Sequence, residues 1–396
     1  MAAITYIDQV EITNKRVLVR VDYNVSFKKD GSGEINDDTR IKNSLPTLNL
    51  LLKNGNTLIL MSHLGKPKGR DMTFSMKPVA KRLQEYLPDY SVQLVDDFVK
   101  NPILVASNAT ASENKTIFLL ENTRFYEGEK KNDPTFAKQL ASLADVFVCD
   151  AFGSVHRAHA SVVGVAQYLP SYGGLLLKNE VEMIEKVIRA PSRPVVAIIA
   201  GSKISSKIGL IESLIKIADT ILIGGAMTNN FLKAQGYEIG KGLVETDFIS
   251  EAKRLLDIKP SKIVLPVDRR IGSQMDTVTT PVVKKIEDIS PSDETLDIGP
   301  ETEKLFAEVI SQAKTIIWNG PVGYFENPQF AVGSLAIFHA IVANTGAVSV
   351  VGGGDTLSVI KKEPERGKIT HISTGGGAML ELIEKGTLPG LEALKK

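Results

Sequence analysis

The sequence predicts an α/β protein with two doubly wound parallel-sheet domains, joined by a connecting helix and a hinge. Short runs of branched apolar residues alternate with longer amphipathic segments along the whole chain, which is typical of βαβ units. The apolar runs lack polar alternation, as expected of parallel strands that are covered on both faces. The length of 396 residues also suits two domains, because one domain commonly takes about 100–200 residues.

The first half is predicted to contain buried strands with helices between them. The strands correspond to the apolar runs at residues 16–22, 56–62, 115–122 and 144–152. Between these runs, apolar residues recur at helical spacing at residues 41–52, 77–86 and 133–143. This alternation predicts a first parallel sheet with helices on its faces.

The same pattern restarts in the second half and predicts a second sheet. Its strands are expected at residues 193–201, 219–225, 261–268, 314–320, 347–355 and 368–374. The stretch 327–354 carries no charged residue and is long enough to be mistaken for a membrane span. It is interrupted at residues 344–346 and ends in three glycines, so we expect a buried helix followed by a buried strand.

The predicted domain boundary lies in a stretch that contains proline and glycine, at residues 169–174. The amphipathic segment that follows, residues 175–190, suits a rigid helical connector. We therefore expect a first domain over 1–172, a connector over 173–190 and a second domain over 191–386.

Composition and charge exclude several classes of protein. The 47 basic and 46 acidic side chains give a formal net charge of +1, and without a basic tract this argues against nucleic-acid binding. The single cysteine, Cys149, has no partner for an intrachain disulfide and lies in an apolar run, so we expect a buried thiol. The N-terminal residues lack an apolar block, and we expect a cytoplasmic protein without membrane segments.

Basic and polar side chains follow the predicted strands of the first half. In an open α/β sheet, ligands bind beyond the carboxyl ends of the strands. Arginine is the side chain best suited to hold carboxylate and phosphate groups with two parallel hydrogen bonds. We therefore expect a cleft for a small polyanion, although single arginines and histidines often serve only structural roles. The residues concerned are Arg20, Asp22, Asn24, Arg40, His63, Arg124, Asp150, His156 and Arg157.

Glycines follow the predicted strands of the second half. Glycine lets main-chain amides approach a ligand closely, and a helix that starts beside it favours phosphate. Each pair alone suits a tight turn, but together they predict a cradle for nucleotide phosphates, with Asp355 as a candidate magnesium ligand. The glycine-bearing ends are Gly201 with Lys203, Gly224–Gly225, Gly320, Gly352–Thr356 and Gly375–Gly377.

Several common signatures are absent from the sequence. It contains no G-x-x-x-x-G-K-[ST] phosphate loop, no Cys/His metal cluster and no G-x-S-x-G elbow. No G-x-G-x-x-G opens a helix after the first strand of either half, which argues against a nicotinamide-dependent dehydrogenase. That dehydrogenase and a non-catalytic nucleotide-binding protein remain the alternatives.

Motifs along nearly the whole chain resemble those of the phosphoglycerate kinase family and occur in the family's order. In the first half these are RVDYNVS (20–26), DDTRI (37–41), SHLGKPKG (62–69), LLENTRFYEGEKKND (119–133) and DAFGSVHRAHAS (150–161). In the second half they are AGSKISSKI (200–208), IGGAMTNNFL (223–232), LPVDRRI (265–271), DIGPET (297–302), WNGPVGYFE (318–326), VVGGGDT (350–356) and HISTGGGA (371–378).

The resemblance implies reversible phosphoryl transfer from 1,3-bisphosphoglycerate to ADP, giving 3-phosphoglycerate and ATP, with Mg²⁺. It implies a monomer whose hinge brings two substrate-binding domains together, with residues 387–396 packed back on the first domain. Substrate would be bound by Asp22, Asn24, Arg40, His63, Lys66, Arg124 and Arg157, and the catalytic residues would be Arg40, Lys203, Lys207 and Gly376. Nucleotide would be bound by Lys203, Lys207, Gly225, Asn319, Glu326, Gly352, Gly353, Gly354, Asp355 and Thr356.

Some positions depart from the family pattern. Lys66 stands where an arginine is usual, so a point charge replaces a planar fork of donors. Ser26, Ser206 and Tyr324 also differ from the usual residues. These changes are expected to alter affinity and leave the type of reaction unchanged.

Overall fold

The computed structural model describes residues 3–28, 30–100, 115–273, 278 and 280–395. The chain divides into two compact units. The first comprises the chain up to Glu182 together with the segment from Thr387 onward, and the second comprises Met183–Gly386. The division falls inside the helix Leu175–Arg189, in the amphipathic segment where a connector is predicted.

The first unit is built around a parallel sheet. The strands of this unit are β1 (Arg16–Val21), β2 (Ser26–Phe27), β3 (Ile35–Asp37), β4 (Thr57–Met61), β5 (Ser91–Val95), β6 (Thr116–Leu120), β7 (Val146–Asp150) and β8 (Ser171–Gly173). Strands β2 and β3 form a separate antiparallel pair, and the other six form the parallel sheet. The sheet has the order β5-β6-β4-β1-β7-β8. Its neighbours are parallel throughout, and β1 pairs with β4 on one side and β7 on the other.

The helices of the first unit cover this sheet. They are α1 (Thr39–Lys53), α2 (Lys77–Tyr86), α3 (Glu127–Lys131), α4 (Pro134–Ala141) and the N-terminal half of α5 (Leu175–Arg189), within which the division falls. Single turns lie at Met72–Phe74, Thr123–Phe125, Phe152–Ser154, Ala160–Gly164 and Val165–Gln167. Leu48 of α1 and Leu83 of α2 pack with Val19 and Leu60 of the sheet, and all four are fully buried. Pro134 begins α4, where its missing amide costs no hydrogen bond, and Asp133 caps the helix.

The second unit contains a second parallel sheet and a smaller antiparallel one. The strands are β9 (Val195–Ile199), β10 (Thr220–Ile223), β11 (Ile263–Val264), β12 (Asp268–Ile271), β13 (Val282–Lys285), β14 (Thr295–Ile298), β15 (Thr315–Asn319), β16 (Val348–Gly352) and β17 (His371–Ile372). The parallel sheet has the order β11-β10-β9-β15-β16-β17, and the antiparallel sheet has the order β13-β12-β14.

The helices of the second unit alternate with these strands. They are α6 (Ile208–Ile217), α7 (Thr228–Ala234), α8 (Ile249–Ile258), α9 (Pro300–Gln312), α10 (Val332–Ala343), α11 (Gly354–Val359) and α12 (Gly376–Lys385), with single turns at Thr246–Phe248, Ile286–Asp288, Pro328–Phe330 and Pro364–Lys368. The uncharged stretch forms a helix and a strand as predicted, α10 and β16. No helix of the described part is long and apolar enough to cross a membrane.

The C-terminal helix α13 (Pro389–Leu394) packs within the first unit. The amide of Gly390 donates to the carbonyl oxygen of Val155 at 2.8 Å. A Cβ atom on Gly390 would lie 2.8 Å from side-chain atoms of Val155 and Val162. Glycine at this position therefore permits the close approach of α13 to the turn after β7.

The α/β class with two parallel sheets is confirmed, and the differences lie at the sheet edges. Strand β5 and the antiparallel sheet were not predicted. Residues 171–173, which lie in the predicted boundary stretch, form edge strand β8, which pairs with β7. The predicted strand at 261–268 is divided between β11 and β12. Cys149 is fully buried in β7, and burial raises the pKa of its thiol to about 11.

Candidate active site

The candidate anion site of the first unit lies beyond the carboxyl ends of four adjacent strands, β6, β4, β1 and β7. The strand order reverses between β1 and β7, which is where open α/β sheets form their clefts. Asp22 and Asn24 follow β1, His63 follows β4, Arg124 follows β6 and Arg157 follows β7. We call Arg20, Arg40, His63, Arg124 and Arg157 the cationic cluster.

Asp22 and Arg40 form an ion pair at the edge of this cluster. Arg40 lies in the first turn of α1, and its side chain is 33% exposed, whereas that of Asp22 is 9% exposed. Burial alone would raise the pKa of Asp22, but the surrounding positive charges, that of Arg40 first, and the hydrogen bond from the amide of Asn24 outweigh burial and lower it to about 2. Asp22 is therefore ionised at neutral pH and holds Arg40 at the site.

Arg20 is fully buried and fixes the imidazole of His63. Its Nη2 lies 3.0 Å from Nδ1 of His63. Since a guanidinium only donates, Nδ1 must accept, and the neutral ring carries its proton on Nε2. Burial and the positive charge of Arg20 lower the pKa of His63 well below its usual value. His63 is thus a neutral hydrogen-bond donor through Nε2 at neutral pH.

This assignment predicts the ionisation behaviour of His63. We expect nitrogen-15 NMR to show the Nε2–H tautomer of His63 from pH 8 down to pH 5, with no titration in that range. The exposed His339 serves as a reference signal in the same spectra. A His63 signal that becomes doubly protonated above pH 6 contradicts the assignment.

Arg124 is joined to the loop after β4. Its Nη1 donates to the carbonyl oxygen of Gly65 at 2.5 Å, and the Gly65 amide donates to Oδ1 of Asn24 at 2.8 Å. Burial lowers the pKa of Arg124 to about 10, with the positive charges of Arg157 and Arg20 acting in the same direction. Lys66 follows Gly65 and is exposed, as is Arg157. The described contacts therefore join Asn24 and Arg124, with Lys66 beside them.

Asp150 does not belong to the anion site, although it is the last residue of β7. It is fully buried, and its Oδ1 accepts a hydrogen bond of 3.1 Å from the amide of Leu177 in the first turn of α5. A Cβ on Gly174 would lie 2.2 Å from the same oxygen. Burial raises the pKa of Asp150 to about 6. Asp150 therefore anchors the start of α5.

Replacement of Asp150 is predicted to have a pH-dependent effect on stability. Because the pKa is about 6 in the folded chain and about 4 when unfolded, ionisation destabilises the fold as the pH rises through this range. We expect Asp150→Asn to raise the melting temperature at pH 8 by about 5 °C and to leave it nearly unchanged at pH 4. Thermal unfolding at the two pH values measures this.

Asp145→Asn is the control for that experiment. Its hydrogen bond with Arg16 lowers the pKa of Asp145, so its removal should reduce stability at pH 8. A stability loss at pH 8 in both variants would contradict the account of Asp150.

The second unit presents glycines at the carboxyl ends of five adjacent strands, β10, β9, β15, β16 and β17. The strand order reverses between β9 and β15. Gly320, after β15, has φ +94°, and a Cβ there would lie 2.1 Å from the carbonyl oxygen of Ala200. Gly225, after β10, has φ +69°, and a Cβ there would lie 2.6 Å from the carbonyl oxygen of Gly201. At both positions only glycine permits the close approach of neighbouring strand ends.

Polar side chains tie these glycine-bearing ends together. Nζ of Lys207 donates to Oδ1 of Asn319 at 2.6 Å, and Nδ2 of Asn319 donates to the carbonyl oxygen of Gly352 at 2.6 Å. Burial lowers the pKa of Lys207, and the negative charge of Asp355 opposes this effect. The hydroxyl of Thr356 accepts from the amide of Gly320 at 2.8 Å. We use the name glycine cradle for the hydrogen-bonded residues Lys207, Asn319, Gly320, Gly352 and Thr356 together with Gly353, Gly354 and Gly376.

Two helices begin at glycines of the cradle. Helix α11 begins at Gly354 and α12 at Gly376. A Cβ on Gly376 would lie 2.4 Å from the main-chain nitrogen of Gly353. The first turn of α12 therefore approaches the loop after β16 closely, and its free amides favour a phosphate there.

A cavity of about 320 Å³ lies beside the cradle within the second unit. Gly225, Glu326 and Asp355 belong to its wall, together with apolar side chains such as Leu243 and Leu296. Of the predicted residues, Lys203 is exposed and is not among the described residues of that wall. A cavity that combines apolar side chains with convergent polar groups is the usual form of a small-molecule site.

Among the described residues, no three histidine, cysteine or acidic side chains form a ready-made metal site. Asp355 is nevertheless exposed on the cavity wall at the start of α11. One carboxylate together with phosphate oxygens is the set of ligands that Mg²⁺ commonly takes. The residues present therefore fit a divalent cation that arrives with a nucleotide.

Several residues at these sites were not identified from the sequence. Arg269 of β12 is buried and lines the cavity, and burial lowers the pKa of its guanidinium to about 10. Glu129 and Ser161 lie behind the cationic cluster and contact each other. The sequence does not identify them as site residues, because Arg269 and Glu129 stand among other charged residues, a pattern that is typical of exposed segments.

Comparisons with known proteins agree on one family. The family model described as phosphoglycerate kinase matches residues 7–386. The phosphoglycerate kinase of Rubrobacter xylanophilus is 47% identical over 386 residues, which cover 97% of this chain and 96% of that protein. That of Moorella thermoacetica is 46% identical over 398 residues, covering 100% and 99%.

Solved structures give the same result. The structure of phosphoglycerate kinase from Coxiella burnetii matches with a TM-score of 0.88 and 37% identity, over 99% of this chain and 98% of that one. The structure from Pyrococcus horikoshii matches with a TM-score of 0.86 and 30% identity, over 98% of each chain. The chain is accordingly an ATP-binding kinase of glycolysis, and the dehydrogenase alternative is not supported. On these grounds it belongs to the phosphoglycerate kinase family.

Proposed function

We propose that the chain transfers a phosphoryl group reversibly from 1,3-bisphosphoglycerate to ADP, giving 3-phosphoglycerate and ATP. The observation that carries this proposal is that each unit holds its own arrangement suited to anions. The cationic cluster suits a small acidic phosphate ester, and the glycine cradle suits nucleotide phosphates.

The first unit is proposed to bind the phosphoglycerate. Arg40, Arg124 and Arg157 offer planar donor forks for the carboxylate and phosphate. His63 donates through Nε2, while Asp22 holds Arg40 and Asn24 holds the loop after β4. Lys66 adds a single exposed positive charge, which attracts phosphate without the two parallel bonds of an arginine.

The second unit is proposed to bind the nucleotide. Lys203 and Lys207 take the phosphates, with Asn319 holding Lys207 in place. Gly225 forms part of the cavity wall for the base, and Glu326 on the same wall takes the ribose hydroxyls. The remaining phosphate contacts come from the loop after β16 and the start of α11, at Gly352, Gly353, Gly354, Asp355 and Thr356.

The proposed chemistry needs no general base. The acceptor in the reverse direction is a carboxylate, which is already ionised at pH 7. In the forward direction it is a phosphate oxygen of ADP. The task is therefore to neutralise charge and align the reacting atoms. We assign this task to Arg40, Lys203, Lys207 and the amide of Gly376 at the start of α12.

We propose Asp355 as the protein ligand of Mg²⁺. When bound, the cation supplies positive charge to the nucleotide phosphates. The negative charge of Asp355 also raises the pKa of Lys207, against the larger lowering effect of burial. The cytoplasmic location and the monomeric state stay predictions, and light scattering of the purified chain measures the latter.

Transfer also requires the two substrates to come within about 3–3.5 Å of each other. Since we place them on different units, we propose that the units close on each other when both substrates are bound. Small-angle scattering should show a smaller radius of gyration with 3-phosphoglycerate and a non-hydrolysable ATP analogue together than with either alone. An unchanged radius contradicts this proposal.

The reaction itself is tested by a coupled assay on the purified full chain. With ATP, Mg²⁺ and 3-phosphoglycerate we expect an acyl phosphate, which hydroxylamine traps as a hydroxamate. Omission of 3-phosphoglycerate is the control for simple ATP hydrolysis. Lack of acyl phosphate at millimolar substrate concentrations would refute the proposed function.

A further inference from the structure

A buried carboxylate lies behind the cationic cluster of the first unit. Glu129 of α3 is fully buried. Its Oε1 accepts a hydrogen bond of 2.7 Å from the hydroxyl of Ser161, and its Oε2 accepts one of 3.0 Å from the amide of the same residue. The hydroxyl of Thr123 adds a contact of 3.3 Å to Oε1. These donors compensate the buried charge and hold the carboxylate in one orientation.

Ser161 connects this carboxylate to Arg20. A hydroxyl has one proton to donate, and Ser161 gives it to Glu129, so its oxygen is left to accept. Nε of Arg20 lies 3.0 Å from that oxygen, and Nη2 of Arg20 lies 3.0 Å from Nδ1 of His63. Glu129, Ser161, Arg20 and His63 thus form a continuous hydrogen-bonded chain, which we call the buried relay.

We propose that Glu129 is a positioning residue that acts through Ser161 and Arg20 to fix the orientation and tautomer of His63. This inference rests on the proposed function, in which His63 binds the phosphoglycerate. Without the carboxylate, the Ser161 proton has no fixed acceptor, and a hydroxyl that turns its proton toward Arg20 no longer accepts from it. Arg20 keeps its contacts with the carbonyl oxygen of Val21 and the hydroxyl of Ser154 but loses the fixed partner of its Nε. Its Nη2 is then held less firmly against Nδ1 of His63, and the selection of the Nε2–H form weakens.

A second way for Glu129 to act is through its charge alone. Its negative charge raises the pKa of Arg124, against the effect of burial, and thus offsets part of the cluster's positive charge. A carboxylate that acted only in this way would weaken the attraction for anions. Removal of the charge would then tighten phosphoglycerate binding, whereas loss of positioning would weaken it.

Kinetics of Glu129→Gln, Ser161→Ala and the double variant separate these two roles. We expect each single variant to raise the Michaelis constant for 3-phosphoglycerate about tenfold, near the lower end of what one hydrogen bond to a charged group supplies. The Michaelis constant for ATP should stay within about twofold of the wild type. The Michaelis constant of the double variant for 3-phosphoglycerate should be no higher than that of the more strongly affected single variant, because both substitutions break the same hydrogen-bonded chain.

Glu127→Gln is the matched control. Glu127 lies on the same helix, but its side chain is 88% exposed and pairs with Lys131. Its replacement should leave both Michaelis constants unchanged. The nitrogen-15 spectrum of His63 gives a direct readout, because the relay variants should show a mixture of tautomers where the wild type shows Nε2–H alone.

A lower Michaelis constant for 3-phosphoglycerate in Glu129→Gln with no change in Ser161→Ala overturns the proposal in favour of charge. An active wild type whose His63 spectrum is the same in both variants also overturns it. If Glu129→Gln does not fold, Ser161→Ala, which keeps the carboxylate, decides the outcome. A wild type that forms no acyl phosphate contradicts the proposed function itself.

Discussion

Replacement of Arg40 by alanine is expected to lower turnover by about 10²–10³-fold, the usual loss when one donor to the transferring group is removed. The nucleotide Michaelis constant should change by no more than about threefold, because Arg40 belongs to the first unit. The ion pair with Asp22 holds the guanidinium at the carboxyl end of β1. The measurement is steady-state kinetics with each substrate varied in turn.

Arg82→Ala is the control for this variant. Arg82 of α2 also lies in the first unit, and its side chain is 35% exposed, close to the 33% of Arg40. It pairs with the exposed Glu85 and, at 3.8 Å, with Asp38, and such pairs near the surface contribute little to stability. Its replacement should leave turnover nearly unchanged. Equal losses of turnover and nucleotide affinity in Arg40→Ala would show that its role was misassigned.

Replacement of Gly376 by alanine is expected to reduce turnover by about 10²-fold. The new Cβ would lie 2.4 Å from the nitrogen and 2.6 Å from the Cα of Gly353. These are main-chain atoms, so either the start of α12 or the loop after β16 must move. Movement of either misaligns the amides proposed to bind the transferred phosphoryl group, and the nucleotide should also bind more weakly.

The neighbouring glycine provides a matched control. A Cβ on Gly377 would meet no atom within 4 Å among the described residues, so Gly377→Ala should keep near-normal turnover. Circular dichroism of both variants checks that α12 is retained. Similar activities in the two alanine variants would contradict the role of the close approach between Gly376 and Gly353.

The fold class could be predicted because the central strands are continuous apolar runs. Strand β7 (Val146–Asp150) is buried at every position, as is β15 (Thr315–Asn319). The strands at the sheet edges lack such continuous apolar runs. Strand β5 alternates exposed and partly buried residues, β8 has only three residues, and β13 is largely exposed. Short, polar edge strands depend on pairing with a neighbour, which local patterns do not show.

The sequence could predict which strand ends carry the residues of the site, but it could not predict the contacts of the individual side chains. Parallel strands place the residues that follow them at one edge, so the cationic cluster and the glycine cradle emerge from the order of motifs. Asp150 also stands at the end of a strand, yet its carboxylate contacts the start of α5. Glu127 and Glu129 stand two residues apart in one charged run, and only the three-dimensional packing buries the second.

The central claim is that the two units divide the two substrates between them. Calorimetric titration of 3-phosphoglycerate and of ADP into Arg124→Met and Lys207→Met tests this in one set of measurements. We expect Arg124→Met to lose at least about tenfold in affinity for 3-phosphoglycerate and to keep its affinity for ADP, with the reverse in Lys207→Met. A loss of both affinities in either folded variant, or the opposite pattern, would contradict the account.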